Sequence, residues 1–168
     1  MSGPAPDGGT ARRSAPATVR LEPVTAETVL AVCALTVSPD QEHFVTANAV
    51  SLAEASFHQQ AWHRAVYAGD ELVGFVMPHD APTGPGYMLW RLMIDHRHQG
   101  RGYGRQVVRL VADHVRTRPG AQTLAVGARR GTGGPRPFYE SLGFVPTGEV
   151  IDGDEDVLTV ELGAVRSP

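Results

Sequence analysis

Gln99-Gly100-Arg101-Gly102-Tyr103-Gly104 is the stretch whose reading decides the fold. It follows an apolar, strand-like run, Tyr87 to Ile94, and precedes Val107, Val108, Leu110, Val111 and Val115 at helical spacing. Strand, glycine turn, helix is a layout that offers bare backbone N–H groups to an anion. Glycines admit a close approach, and the first helical turn has amides without partners. The run therefore predicts a ligand that carries phosphate. Taken alone, the pattern favours a turn that only joins strand to helix over a ligand site. A Walker loop fails, because Arg105-Gln106 stand where Lys and Ser/Thr are required. A dinucleotide unit fails too: the glycines come mid-chain, and no acidic residue ends the next strand. What remains is a pyrophosphate cradle in another α/β fold.

Around this run the chain alternates between strand and helix signals. Residues 1–17 are rich in Gly, Pro, Ala, Ser and Thr and read as a disordered tail. Thr18 to Pro23 reads as a first strand. Thr25 is placed to cap a helix running to about Leu35. Asp40 to Asn48 reads as a loop, and Ser51-Leu52-Ala53-Glu54 as a capping box opening a helix to about Gln59. Arg64–Ala68, a turn at Gly69-Asp70 and Glu71–Met77 form a hairpin. Pro78 to Gly86 is a turn-rich loop, and Tyr87–Ile94, charged only at Arg91, a central strand. The helix after the glycine run ends by Thr117, before Pro119-Gly120. Gln122–Gly127 is a buried strand and Arg129–Gly134 a polar glycine loop. Pro135 and Pro137 open a short helix that Gly143 closes. Phe144–Val150 and Val157–Leu162 are final strands around an acidic turn, Asp152 to Asp156. The fold class is α/β: a three-layer domain over residues 18–168, a mixed central sheet with helices on both faces.

Composition narrows the function. With 168 residues, 42% hydrophobic and 20% charged, one domain with a real core is expected. A net charge of −3 and no basic face argue against nucleic acid. Cys33 is the single cysteine, which excludes an intramolecular disulfide and fits a reducing compartment. No run is long and apolar enough to span a bilayer, and the N-terminus lacks a signal-peptide core, so a cytoplasmic protein with no membrane partner is expected. The seven histidines do not pair with Asp, Glu or Cys at ligand spacing, so no metal is assigned. His96 and His98 read as surface loop histidines, and Trp62 as a packing residue.

A second segment adds what the glycines lack. Ile94 to Gly104 resembles motif A of the GCN5-related N-acetyltransferases (GNAT), with Gln99, Gly102 and Gly104 on its Gln/Arg-x-x-Gly-x-Gly/Ala core. Pro137-Phe138-Tyr139-Glu140-Ser141-Leu142-Gly143-Phe144 resembles motif B, at the right separation downstream. The resemblance covers roughly residues 18–162. It implies a GNAT-like fold with acetyl-CoA, as co-substrate, in a V between strands 87–94 and 122–127. It implies that the amides of Gln99, Gly100, Arg101, Gly102, Tyr103 and Gly104 hold the pyrophosphate and that Arg101 and Arg105 add charge. Met93 and Ile94 would meet the pantetheine amides, and Thr132 would lie in the loop that reaches the cofactor. Tyr139 would be the general acid for the leaving thiolate, since an ordinary tyrosine stays protonated at pH 7. The pattern departs from the family at Thr132 and Pro135, where Asn and a small residue are common, and at His96, where proline is.

Local wording refines the acceptor. Ser38 to Ala55, Trp90 to Asp95 and Gly148-Glu149-Val150 resemble the bacterial spermine/spermidine (diamine) acetyltransferase subgroup. That resemblance implies a small cationic, polyamine-like amine as partner, met by Glu42, Glu54 and Trp90, with Asp40 and His43 on the same wall. The central strand offers no glutamate as base. Alternatives are acetylation of an antibiotic, an amino acid or a protein N-terminus, and a non-catalytic acyl-CoA sensor. Many members of the family dimerise, so the resemblance also raises a homodimer.

Overall fold

The computed structural model describes residues 17–83 and 86–165. The tail expected over residues 1–17 lies, but for Ala17, outside the described residues. Among these, seven strands form one sheet in the order β1-β2-β3-β4-β5-β7-β6. They are β1 Val19–Pro23, β2 Arg64–Ala68, β3 Glu71–Thr83, β4 Gly86–Ile94, β5 Thr123–Arg129, β6 Val145–Ile151 and β7 Glu155–Glu161. Helices α1 Val29–Cys33 and α2 Asn48–Ala55 cover one face; α3 Tyr103–Arg116 and α4 Arg136–Glu140 cover the other. The expected three-layer α/β architecture is present.

Each face has its own core. Val32, Leu35 and Val37 meet Ala65, Phe75, Met77 and Met93 on the α1/α2 side. On the other side α3 buries Val107, Val108, Val111, Ala112 and Val115, a stripe at helical spacing, against Val66, Val76, Leu89 and Leu124. Each such valine removed from water contributes about 1.5–3 kcal/mol.

Several local expectations are corrected. The Ser51 capping box does not form: α2 already starts at Asn48, and Ser51 is buried within it with Oγ donating to the Ala47 carbonyl. Tertiary contact sets that start, because Asn48 Nδ2 donates to the Val32 carbonyl at 2.8 Å and ties α2 to α1. The α1 helix begins after Thr28 rather than at Thr25, whose carbonyl closes the preceding turn. The loop read over Pro78–Gly86 is largely strand: β3 runs on to Thr83. Pro78 is tolerated because the β3–β4 register shifts between Met77 and Pro78, where no ladder N–H is required. Pro39–Phe44, within the expected loop, forms a 3-10 turn. Finally, Glu155 and Asp156 belong to β7 rather than to the turn before it.

The feature that positions the site is the β4–β5 pairing, the one parallel junction among the described strands. It is confined to Tyr87↔Leu124, Met88↔Ala125 and Leu89↔Val126. Beyond these the strands part, leaving Trp90–Ile94 and Gly127–Arg129 on opposite walls of a V. On its outer side β4 stays tightly seated on β3. A Cβ at Gly74 would lie 2.5 Å from the Met93 carbonyl oxygen and 2.8 Å from Ile94 Cδ1. Gly74→Ala is therefore expected to cost about 1–3 kcal/mol through overpacking, read as a lowered urea midpoint with unchanged m-value.

Candidate active site

The wider part of the V holds a cavity of about 460 Å³. One wall is β4 and the glycine run: Met93, Ile94, Gln99, Gly100, Gly102, Tyr103, Gly104 and Arg105 line it. The other is the loop and helix after β5: Gly133, Gly134, Pro135, Phe138 and Tyr139. Of the ten residues expected at the cofactor, Arg101 and Thr132 are not in this lining. Arg101 turns back to donate to the Arg97 carbonyl at 3.2 Å, and the Thr132 loop meets the cavity through its glycines instead. Arg105 lines the cavity while donating to Ser141 Oγ at 3.2 Å.

The three glycines do two jobs. Gly100 and Gly102 have φ of +73° and +80°, a conformation that side chains rarely adopt, and Gly102 is the N-cap of α3. No side chain caps α3, and no acidic residue lies in its first turn. Its amides and positive dipole end are thus left to whatever enters the cavity. Gly104 is inside the helix, where a Cβ would lie 3.2 Å from Phe138 Cζ. Its missing side chain lets α3 approach α4 closely, while its amide stays among the free ones of the first turn.

Asp95 holds this corner together. It is 1% exposed. Its oxygens accept from the Thr36 amide at 3.1 Å, the Arg97 amide at 3.1 Å and Arg97 Nε at 2.8 Å. Burial pushes its pKa up, but the Arg97 side chain, both amides and the Arg97 charge together outweigh that and hold the carboxyl well below the usual range. Gln99 completes the corner: Nε2 donates to the Ile94 carbonyl and to Gln41 Oε1, each at 2.9 Å. One of the backbone acceptors assigned to pantetheine is thus already in use. His98 is not a surface histidine: it is 7% exposed, lines the cavity and has Nδ1 buried without a partner.

The 3-10 turn Pro39–Phe44 crosses from one wall of the V to the other. Gln41 meets Gln99 on one side, and the His43 carbonyl accepts from Arg129 Nη1 at 2.7 Å on the other. The Phe44 ring rests on Gly131 and Gly134, where any Cβ would crowd it. Behind this strap is a second, smaller recess of about 60 Å³, lined by Trp90, Arg91, Gly127, Arg129 and Glu155. Phe44, Val45, Leu92, Pro135 and Tyr139 border both spaces. Tyr139 thus sits at their junction. Burial, with the Glu155 charge adding to it, pushes its phenol well above the ordinary value, so it remains a proton donor.

Of the residues expected at the acceptor, Trp90 lines the recess. Glu54 reaches it indirectly, pairing with Arg91 Nη2 at 3.0 Å. Glu42 is on the strap and lines neither space. Trp62 stacks on His114 at 3.8 Å, away from the cleft. Glu155 also lines the recess, although its place beside Asp152–Asp154 in the sequence reads as an acidic turn. Two signals point to it: it is in period-two register with Val157, and a glycine, Gly127, interrupts the buried strand beside it. Among the described residues no group of three His, Cys, Asp or Glu side chains is placed to hold a metal, and no helix is long and apolar enough to cross a membrane.

The family model for the acetyltransferase (GNAT) family matches residues 30–144. The chain belongs to that family. It is an acyl-CoA-dependent N-acetyltransferase by that membership, and solved structures share its fold. An acetyltransferase from Thermus thermophilus is 21% identical, with a TM-score of 0.69 over 86% of this chain and 97% of that one. Spermidine N-acetyltransferase from Vibrio cholerae, in complex with CoA and spermine, is 17% identical, with a TM-score of 0.64 over 88% and 98%. The ribosomal-protein-S18-alanine N-acetyltransferase from Escherichia coli is 16% identical, with a TM-score of 0.62 over 86% and 94%. No curated protein matches the chain in sequence.

Because the folded-state pKa of Asp95 is depressed, its stabilisation is complete above the ordinary carboxyl range near pH 4 and is lost as pH falls toward the depressed value. Asp95→Asn is expected to cost on the order of 1–3 kcal/mol at pH 7 and to flatten the decline of the urea midpoint between about pH 4 and pH 2. An unchanged acid-side slope would contradict this assignment.

Proposed function

We propose that this GNAT enzyme moves an acetyl group from acetyl-CoA to a primary amine of a small, cationic, polyamine-like substrate by direct attack. The observation that carries the reading is the junction at Tyr139. A wide cavity with uncapped helix amides meets a small recess with charged walls, and a protonated phenol stands between them. The amides of Gly102, Tyr103 and Gly104 suit the pyrophosphate, and Arg105 adds charge. Thioester sulfur near the junction would take its proton from Tyr139. The amine nitrogen, entering from the recess, forms the C–N bond as the C–S bond breaks. Cys33, in α1, is outside both spaces, which fits direct attack rather than an acyl-enzyme. An acyl-CoA donor and a single cysteine fit a cytoplasmic site of action.

The cationic acceptor is supported by the carboxylates at the acceptor end, Glu54 and Glu155, and by the spermine complex of the Vibrio cholerae relative. A second reading rests on Arg91 and Arg129, which also line the recess. Each is paired with a carboxylate, but together they suit an acceptor that carries a carboxylate beside its amine, such as an amino acid. Thiol release from acetyl-CoA, measured across diamines, polyamines, amino acids and peptides with mass spectrometry of the products, separates the two. Acetylated polyamine supports the first reading, and acetylated amino acid alone replaces it with the second.

Tyr139→Phe is expected to lower turnover about a hundred- to ten-thousand-fold while CoA binding by calorimetry persists. Full turnover in this variant would remove Tyr139 from the mechanism.

A further inference from the structure

Glu155 stands opposite Arg129 in the β5–β7 ladder, and Gly127 pairs with Val157 two positions along it. Residues 155 and 157 lie on one face of β7, as 127 and 129 do on β5, so the Glu155 side chain reaches diagonally toward Gly127. A Cβ at Gly127 would collide with Glu155 Oε2. The glycine therefore leaves a slot on β5, and a carboxylate from the neighbouring strand occupies it. β5 is the wall of the V that faces β4, so the slot opens on the small recess that Tyr139 also borders.

The two carboxylate oxygens are in different situations. Oε1 accepts from Arg129 Nη2 at 3.3 Å. Oε2 accepts no hydrogen bond from the described residues. The side chain is 20% exposed, so it is sheltered yet reachable from the recess. One oxygen orients the group and the other is left for a ligand.

From this geometry we infer that Glu155 is the general base of acetyl transfer, taking the ammonium proton of the acceptor on Oε2. The inference rests on the acetyltransferase reading above and names the residue that reading leaves without a base. The ammonium gives one proton to Glu155, and the freed lone pair attacks the thioester carbonyl. The tetrahedral intermediate collapses with C–S cleavage, and the thiolate takes the Tyr139 proton. The second proton on the new amide nitrogen restores Tyr139, and Glu155 returns its proton to solvent. Acid and base thus approach the reacting centre from α4 and β7.

The surroundings suit the role. Burial raises the Glu155 pKa above the ordinary carboxyl range; Arg129 opposes the rise, Asp152 adds to it, Arg91 opposes it and Asp154 adds to it. Tyr139, on α4, shares the recess as a neutral phenol. A base brought closer to neutrality is a better acceptor for an ammonium proton at working pH.

The experiment is the pH profile of kcat/KM for wild type and Glu155→Gln with the best acceptor amine. The expected loss is about a hundredfold or more at pH 7, shrinking as pH approaches the pKa of the amine, because substrate that is already neutral needs no base. With hydroxylamine, largely neutral at pH 7, the loss should be small. Gly127→Ala is the second variant: it keeps the carboxylate but displaces Oε2, and it should lower kcat/KM with unchanged CoA affinity. A pH-independent loss in Glu155→Gln, or full kcat/KM at pH 7, overturns the base assignment while leaving the transferase intact. Wild-type protein that acetylates no amine overturns both.

Discussion

The parting of β4 and β5 after three paired residues is the constraint on which the rest depends. A parallel pair that ran its full length would satisfy its backbone groups internally and leave nothing to bind. By parting, the strands give up hydrogen bonds along Trp90–Ile94 and Gly127–Arg129 and create an edge in the interior of the sheet. Everything inserted there is tied to both walls. The strap Pro39–Phe44 reaches Gln99 on one side and Arg129 on the other, and α4 places Tyr139 at the base of the gap. The strap also divides the gap into a wide and a narrow chamber with Tyr139 between them.

The V is kept open by rigid neighbours rather than by its own edges. On one side β4 is clamped to β3 through the close contact at Gly74. At its end, Asp95 binds the Thr36 amide, the Arg97 amide and the Arg97 guanidinium, which ties the strand end, the α1 exit and the approach to the glycine turn together. On the other side β5 is paired with β7 over its whole length. A cradle of this kind needs little reorganisation when an anion arrives, which is the condition under which backbone amides bind most strongly.

How much of this was legible in the chain depends on how local each signal is. The glycine run and the Tyr139 segment are short and contiguous, and their geometry is set by neighbours in sequence: positive φ at Gly100 and Gly102, then an amphipathic helix. They were readable. The start of α2 is not legible at Ser51, because the deciding interaction is a buried hydrogen bond from Asn48 to Val32, sixteen positions away. The burial of His98 is not legible either, because it follows from how its loop folds against the cavity. Glu155 gives only a weak local signal, because acidic residues near a turn are ordinarily solvated and its slot at Gly127 is contributed by a different strand.

The sequence by itself determined the α/β class, the order of most elements, the glycine turn that opens α3 and the family, since each follows from periodicity and short motifs that act over a few residues. Only the tertiary structure decided which charged groups share a chamber. Arg91 with Glu54 and Arg129 with Glu155 are ion pairs between elements far apart in the chain, and Glu155 and Tyr139 come from different elements to line one recess. Long-range side-chain proximity follows from sheet register and strand divergence, and no local pattern of residues records either.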